Sequence, residues 1–347
     1  MIQQVLVEPM KLEQREAPVP DLARGDVLMR MQALTLCGSD VRVYTGEKTG
    51  GVRWPAVIGH EFVGEIVEVS DTADEHLLGT RRAAMPWVVC AQCGPCRRGQ
   101  PNLCENVEIF GYQIPGAMAE YIRIPARAVA NGNLVTVPEG IPAEVAALSE
   151  PLSCVYHGHL RCRITVGSSV LILGGGPIGM LHTMLALRAG ATTVIVSEPQ
   201  RNRAEAIAAL GRVTVIDPTA QDLLEQVRSR TGGEGVDVAI VCIGHPALAQ
   251  DAISATRAGG TVNLFAGFGH AGVGELDLNA IHYKQLDVIG NVDATVAEFR
   301  TASGLISGGH VDVSAMITHR FPLSEAGEAL EAARSGKGVK VAVLPDS

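Results

Sequence analysis

From residue 170 onward the chain alternates short β-branched runs with longer amphipathic segments, and this alternation limits the fold more than any other feature. Residues 170–173 read as a fully buried strand, 177–189 as a helix, and 193–196 as the next strand. Further strands are predicted at 213–216, 236–241 and 261–265, with 286–289 available as a sixth. Parallel strands need crossovers, so such a series specifies a doubly wound parallel sheet with helices on both faces, an α/β class of fold.

The first 150 or so residues differ, with short alternating strands, many Gly and Pro turns and few convincing helices, which predicts a β-rich domain. After residue 292 come two predicted helices and a final strand at 339–343. Six strands already complete the parallel sheet, so this tail is expected to return to the first domain. The expected division is 1–152 with 292–347 as the β-rich domain and 153–291 as the parallel-sheet domain. A chain of 347 residues is long for one core and fits two.

The net charge of −9 argues against a nucleic-acid or anionic-membrane surface, since phosphate binding needs clustered Lys and Arg. No apolar run approaches the roughly 20 residues needed to cross a bilayer. No export signal is visible at the N-terminus. A cytoplasmic, reducing location is therefore expected, where cysteines stay thiols or metal ligands.

Cys90, Cys93, Cys96 and Cys104 fall within fifteen residues, in a lobe of about 88–106. Four thiolates can close around one tetrahedral ion with Zn–S distances of about 2.3 Å, which leaves no open position, so such a site is structural. Iron–sulfur ligation is the competing reading, and two disulfides fit a reducing location poorly. Cys154, Cys162 and Cys242 lack ligand spacing and read as buried thiols.

Gly174-Gly175-Gly176-Pro177-Ile178-Gly179 follows the first parallel strand and opens a helix. In that context Gly174 permits the tight turn, Gly176 lets the backbone approach a pyrophosphate, and Gly179 allows close packing of helix on strand. Glu198 stands nineteen residues beyond Gly179, at the end of the second strand, where an acid accepts hydrogen bonds from the adenosine ribose. A carboxylate there repels a 2′-phosphate and favours NAD over NADP. Arg201 and Arg203 follow, and either serves a phosphate or begins a solvated helix face.

Cys37-Gly38-Ser39-Asp40 and Gly59-His60-Glu61 are the remaining places where metal ligands gather in the β-rich part. Together they offer S, N and O donors for an open site with one exchangeable position. The order of these motifs, followed by the four-cysteine lobe, Glu150-Pro151-Leu152, the Gly-rich turn and Ile281-His282-Tyr283-Lys284, resembles the zinc-dependent medium-chain alcohol and polyol dehydrogenases over essentially the whole chain. It is most similar to their sorbitol, iditol and threonine dehydrogenase branch.

That resemblance implies a Rossmann NAD-binding domain joined to a GroES-like catalytic domain. It implies Cys37, His60 and Glu61 as ligands of a catalytic zinc, with Glu150 binding directly or through water, and the four-cysteine lobe as a second, structural zinc. Glu150 also suits the first turn of a helix before Pro151. Ser39 matches the family's position for passing the alcohol proton onward, and otherwise reads as a turn-forming hydroxyl. Ile178, Ile243, Leu264, Ala266 and Asn291 are carried over as cofactor contacts, since they follow carboxyl ends of predicted strands. His157, His159 and His282 have no ligand partner in sequence and read as structural.

The chemistry implied is hydride transfer from a secondary alcohol to the nicotinamide, with zinc as the Lewis acid. The expected substrate is a polyol, sugar or cyclitol, with threonine or another amino alcohol as the alternative. A zinc-stabilised dinucleotide sensor without turnover is the alternative of another class. The family implies a homodimer or homotetramer. Sorbitol dehydrogenases carry an Arg-Tyr pair just after the sixth strand, whereas Asn291-Val292-Asp293-Ala294 stands here. Asp293 reads either as a substrate contact or as the N-cap of the following helix.

Overall fold

The computed structural model describes residues 1–269, 272–336 and 338–346. They form two compact units, Met1–Ser153 with Ala294–Ser347, and Cys154–Asp293.

The second unit is built on a parallel sheet of six strands. In spatial order they are Thr214–Ile216, Thr193–Ser197, Ser169–Leu173, Val236–Val241, Thr256–Leu264 and Asp287–Gly290. In chain order this is 3-2-1-4-5-6, the doubly wound arrangement, and its direction reverses between Ser169–Leu173 and Val236–Val241. Apolar residues fill these strands because both faces are covered: Leu171, Leu173, Ala239 and Val241 belong to one cluster with Ile253 and Val227 of the helices. The fifth strand begins five residues earlier than its β-branched run, directly after the helix Pro246–Ala255.

The first unit centres on a seven-stranded sheet. Val27–Thr35 pairs antiparallel with Glu61–Val69, with Tyr121–Ile124 and with Lys340–Leu344 of the C-terminal tail. The tail contributes one strand that the sequence did not announce, Ile317–Pro322, whose polar His319 and Arg320 mask its alternation. Phe62 and Phe110, both fully buried, meet edge to face at 5.4 Å in the core beneath the sheet.

Short helices interrupt this unit at Gly38–Tyr44 and Ala143–Ala147, each too short for a helical period to show in sequence. The helix expected after Asp293 is capped two residues later, by Thr295 in a reciprocal pair with Glu298. Asp293 has φ of +53°, a left-handed conformation incompatible with the extended backbone of an N-cap. Among the described residues no helix is long and apolar enough to cross a membrane.

Candidate functional site

Cys37, His60 and Glu61 each offer one ligand atom, and these atoms lie within 4.8 Å of one another. The sheet brings them together. Cys37 precedes the helix Gly38–Tyr44, at the end of the strand Val27–Thr35, and Glu61 opens the neighbouring strand opposite Thr35. Gly59, with φ of +97°, turns the chain into that strand, and a side chain there would press on Leu34.

Asp40 ties two of the donors to one carboxylate. Its Oδ2 accepts the Cys37 N–H at 2.9 Å, and its Oδ1 lies 3.0 Å from His60 Nδ1. That contact fixes the ring and leaves Nε2 facing the cluster, with Ser39 Oγ 3.4 Å away. Burial alone would lower the His60 pKa, yet the Asp40 carboxylate holds it well above its usual value. Burial would raise the Cys37 thiol, but the hydrogen bond to His60 together with the His60 and Lys340 charges brings it down.

Glu61 is completely buried and is held by a lysine from the far end of the chain. Lys340 Nζ donates to Glu61 Oε1 at 2.6 Å, also to Oε2, and to the Leu36 carbonyl at 3.0 Å, while the Thr35 hydroxyl donates to Oε2. Burial opposes the Lys340 charge, and Glu61 more than compensates, so its pKa is raised. Glu150, in the first turn of the helix Ser149–Cys162, is buried and electrostatically coupled to the same group. Burial first, and the Glu61 charge second, push its carboxyl well above the usual range. A half-buried thiol, a buried imidazole and two buried carboxylates crowded in this way suit a divalent cation, whose charge would reverse that shift.

The four cysteines of the lobe gather with no disulfide among them. Sγ–Sγ separations of 3.4 Å (Cys93–Cys96), 3.5 Å (Cys104–Cys90) and 3.8 Å (Cys93–Cys104) exceed any S–S bond. They approach the edge of about 3.8 Å of a tetrahedron with 2.3 Å Zn–S bonds. Backbone N–H groups of Cys93 and Cys90 point at the sulfurs of Cys90 and Cys104, each at 3.3 Å. Backbone hydrogen bonds, the Gln92 N–H foremost, bring the Cys90 thiol to about 6, whereas desolvation and its neighbouring thiols push Cys96 up to about 12.

In the other unit the Gly-rich turn has the backbone a dinucleotide needs. Gly174 has φ of +104°, and a Cβ on Gly179 would lie 1.9 Å from the Gly174 carbonyl oxygen. Gly176 caps the helix Pro177–Arg188, whose first N–H groups remain for a ligand. Glu198 is buried beneath the turn, accepting from Gly175 N and Gln200 N at 2.8 Å each. Sequence reasoning missed this clamp. Arg203 brings Nη1 to 3.9 Å from the position a Gly176 Cβ would take, and Ile243 lies over Gly174. Ile178 stays half-buried in the first turn of that helix.

Leu264, Ala266 and Asn291 follow along the carboxyl ends of the fifth and sixth strands. Asn291 Oδ1 is buried there without a hydrogen-bond partner among the described residues. Cys162 is buried, accepting from Asn263 Nδ2 at 3.3 Å, but Cys154 and Cys242 keep partial exposure, contrary to the expectation of burial. His159 is buried, and desolvation brings it down to about 4.

Asp40 stood inside a motif already singled out, so its carboxylate was legible. Lys340 and Thr35 were not, because only strand pairing brings them to Glu61.

Two family models match the chain: the alcohol dehydrogenase GroES-like domain over residues 23–138 and the zinc-binding dehydrogenase domain over 177–308. It is 31% identical to an L-threonine 3-dehydrogenase of Bacillus licheniformis over 331 residues, covering 94% of both chains. It is 32% identical to a sorbitol dehydrogenase of Bacillus subtilis over 336 residues, covering 95% of this chain and 93% of that one. A zinc-binding dehydrogenase of Sinorhizobium meliloti, solved bound to NADP, superimposes with a TM-score of 0.92 at 30% identity, covering 99% of each chain.

The chain belongs to the zinc-dependent medium-chain dehydrogenases. It is an alcohol oxidoreductase that uses zinc and a nicotinamide cofactor, which sets aside the sensor without turnover.

Proposed function

We propose that this protein oxidises a secondary alcohol of a polyol, sugar or cyclitol with NAD, at a zinc held by Cys37, His60 and Glu61 with Glu150 beside them. The observation that carries the reading is the S, N and O donor set within 4.8 Å, with His60 and Glu61 buried and Cys37 half-buried. When bound, the ion supplies Lewis acidity to the alcohol oxygen. The chain does the rest: Asp40 orients His60, Lys340 and Thr35 hold Glu61, and Ser39 Oγ takes the alcohol proton toward solvent. A second zinc closes the four-cysteine lobe, giving two per chain.

The dinucleotide is read as lying on Gly174, Gly176 and Gly179, flanked by Ile178, Ile243, Leu264, Ala266 and Asn291. Glu198 favours NAD, because a buried carboxylate beside the ribose disfavours a 2′-phosphate, while Arg203 contacts the pyrophosphate side. L-Threonine is the second reading, favoured by the sequence relatives that use it. A homodimer or homotetramer is supported by the free outer edge of the strand Asp287–Gly290 and by exposed Leu278 and Tyr283 close to it in sequence.

Metal analysis with an activity panel tests this reading. About two zinc ions per chain are expected, with NADH formed from polyols in preference to NADPH. Turnover of amino alcohols alone would replace the polyol by threonine, and turnover with NADP alone would overturn the cofactor assignment.

A further inference from the structure

Beside His60 lies a cation that the proposed chemistry has not used. Tyr112, buried, faces the His60 ring with centroids 6.0 Å apart and planes inclined by 58°. On Tyr112 rests Lys48, whose Nζ is 4.5 Å from the ring centroid and 3.2 Å from the hydroxyl. The ammonium therefore stands no more than about 10.5 Å from the centre of the imidazole whose Nε2 faces the ligand cluster.

Lys48 has no carboxylate partner among the described residues, although the chain carries a net charge of −9. Many other cations are matched: Arg30 with Glu65, Arg127 with Glu108, Arg257 with Asp237 and Arg320 with Glu144. Arg42 and Arg53 bracket Lys48 in sequence and are likewise unpaired among the described residues, and between them stands only one acid, Glu47. The backbone ties this segment together, since Lys48 N donates to the Arg42 carbonyl and Arg53 N to the Tyr112 carbonyl, each at 2.9 Å. Lys48, Arg42 and Arg53 thus lie on one backbone-tied segment that reaches Tyr112.

An ammonium held on an aromatic face keeps its place without a neutralising partner, because the ring attracts it while its remaining N–H donors stay free. We propose that Lys48 is a specificity residue that binds a carboxylate carried by the substrate, so that the alcohol oxidised here belongs to a hydroxy acid. Tyr112 positions the ammonium, and Arg42 and Arg53 raise the local concentration of anions. This rests on the proposed dehydrogenase reading and deepens it by adding a charge to the polyhydroxylated chain. A sugar acid and threonine share the required carboxylate.

The test uses the zinc-loaded full chain and matched pairs, each acid with its primary amide: an aldonate, 3-hydroxybutyrate and threonine. The wild type is expected to favour acid over amide in kcat/KM by about ten- to a hundred-fold, the range of one charge-assisted hydrogen bond. Lys48→Met should collapse that ratio toward one through KM, and Lys48→Arg should restore it. Which pair shows the preference separates a hydroxy acid from an amino acid.

A wild type indifferent to charge, or a Lys48→Met variant that lowers acid and amide alike, overturns the subsite. If neutral polyols still reduce NAD in that case, the broader reading survives. Should no alcohol reduce NAD, calorimetric binding of 3-hydroxybutyrate and threonine to the NADH complex decides. Weaker binding to Lys48→Met then supports the subsite, and unchanged or absent binding ends it.

Discussion

The two candidate metal-ligand clusters of this protein are built in opposite ways. The four-cysteine lobe is local: fifteen residues, sulfurs against backbone N–H groups, and little beyond Val89 and Val107 packed around them. The Cys37, His60 and Glu61 cluster is drawn from separate strands and is supported by side chains, with Asp40 on two of its members and Lys340 and Thr35 on the third. A local cluster can be complete in itself and so saturate its ion. A cluster held from outside can leave a coordination position free, because its geometry does not depend on closing the shell.

The contrast is most exposed by Cys37→Ala. A loss of about a thousandfold or more in kcat is expected, equivalent to several kcal/mol of transition-state stabilisation, while the circular dichroism spectrum is retained. Zinc content should fall from about two to about one per chain. Loss of both ions would mean that the clusters are not independent.

Asp40→Asn should weaken retention of that zinc by about 10- to 100-fold in chelator competition, the usual effect of removing a partner of a ligating histidine. The lobe zinc should be unaffected.

Lys340→Met strands a buried carboxylate, and in the zinc-free protein should cost about 3–5 kcal/mol in a denaturant titration. Zinc partly replaces the lost charge, so the penalty should shrink in the loaded protein. An equal penalty in both states would show that Glu61 does not face the ion.

Cys96→Ser should release the lobe zinc and lower Tm by several degrees, with most activity kept well below the new midpoint. Asn106→Ala removes only a 3.8 Å contact from Asn106 Nδ2 to Cys90 Sγ, and a few-fold faster zinc release is the smallest effect expected.

The difference between the clusters also governs how much of each was legible. The gathering of the lobe's four sulfurs could be read from spacing alone, because all four cysteines lie within a stretch that folds on itself. The parallel sheet was equally plain, since Val170-Leu171-Ile172-Leu173 is apolar and fully buried, as strands covered on both faces are, and β-branched runs recur after it. The strand Ile317–Pro322 was not, and neither was the cap at Thr295, because polar residues and a left-handed Asp293 obscure both. For the Cys37, His60 and Glu61 cluster the donors were named by motif. Their support was hidden.

Sequence by itself determined the order of motifs, the βα alternation and the chemical character of both donor sets, all of which are short-range or periodic properties. Only the tertiary structure decided that Lys340, close to the C-terminus, locks Glu61 against Thr35, and that Glu198 clamps the Gly-rich turn. It also decided that Lys48 leans on Tyr112 beside His60. Each of these depends on strand pairing or loop packing between residues far apart in the chain. Burial there makes a single charge decisive, and no local pattern encodes which distant partner will meet it.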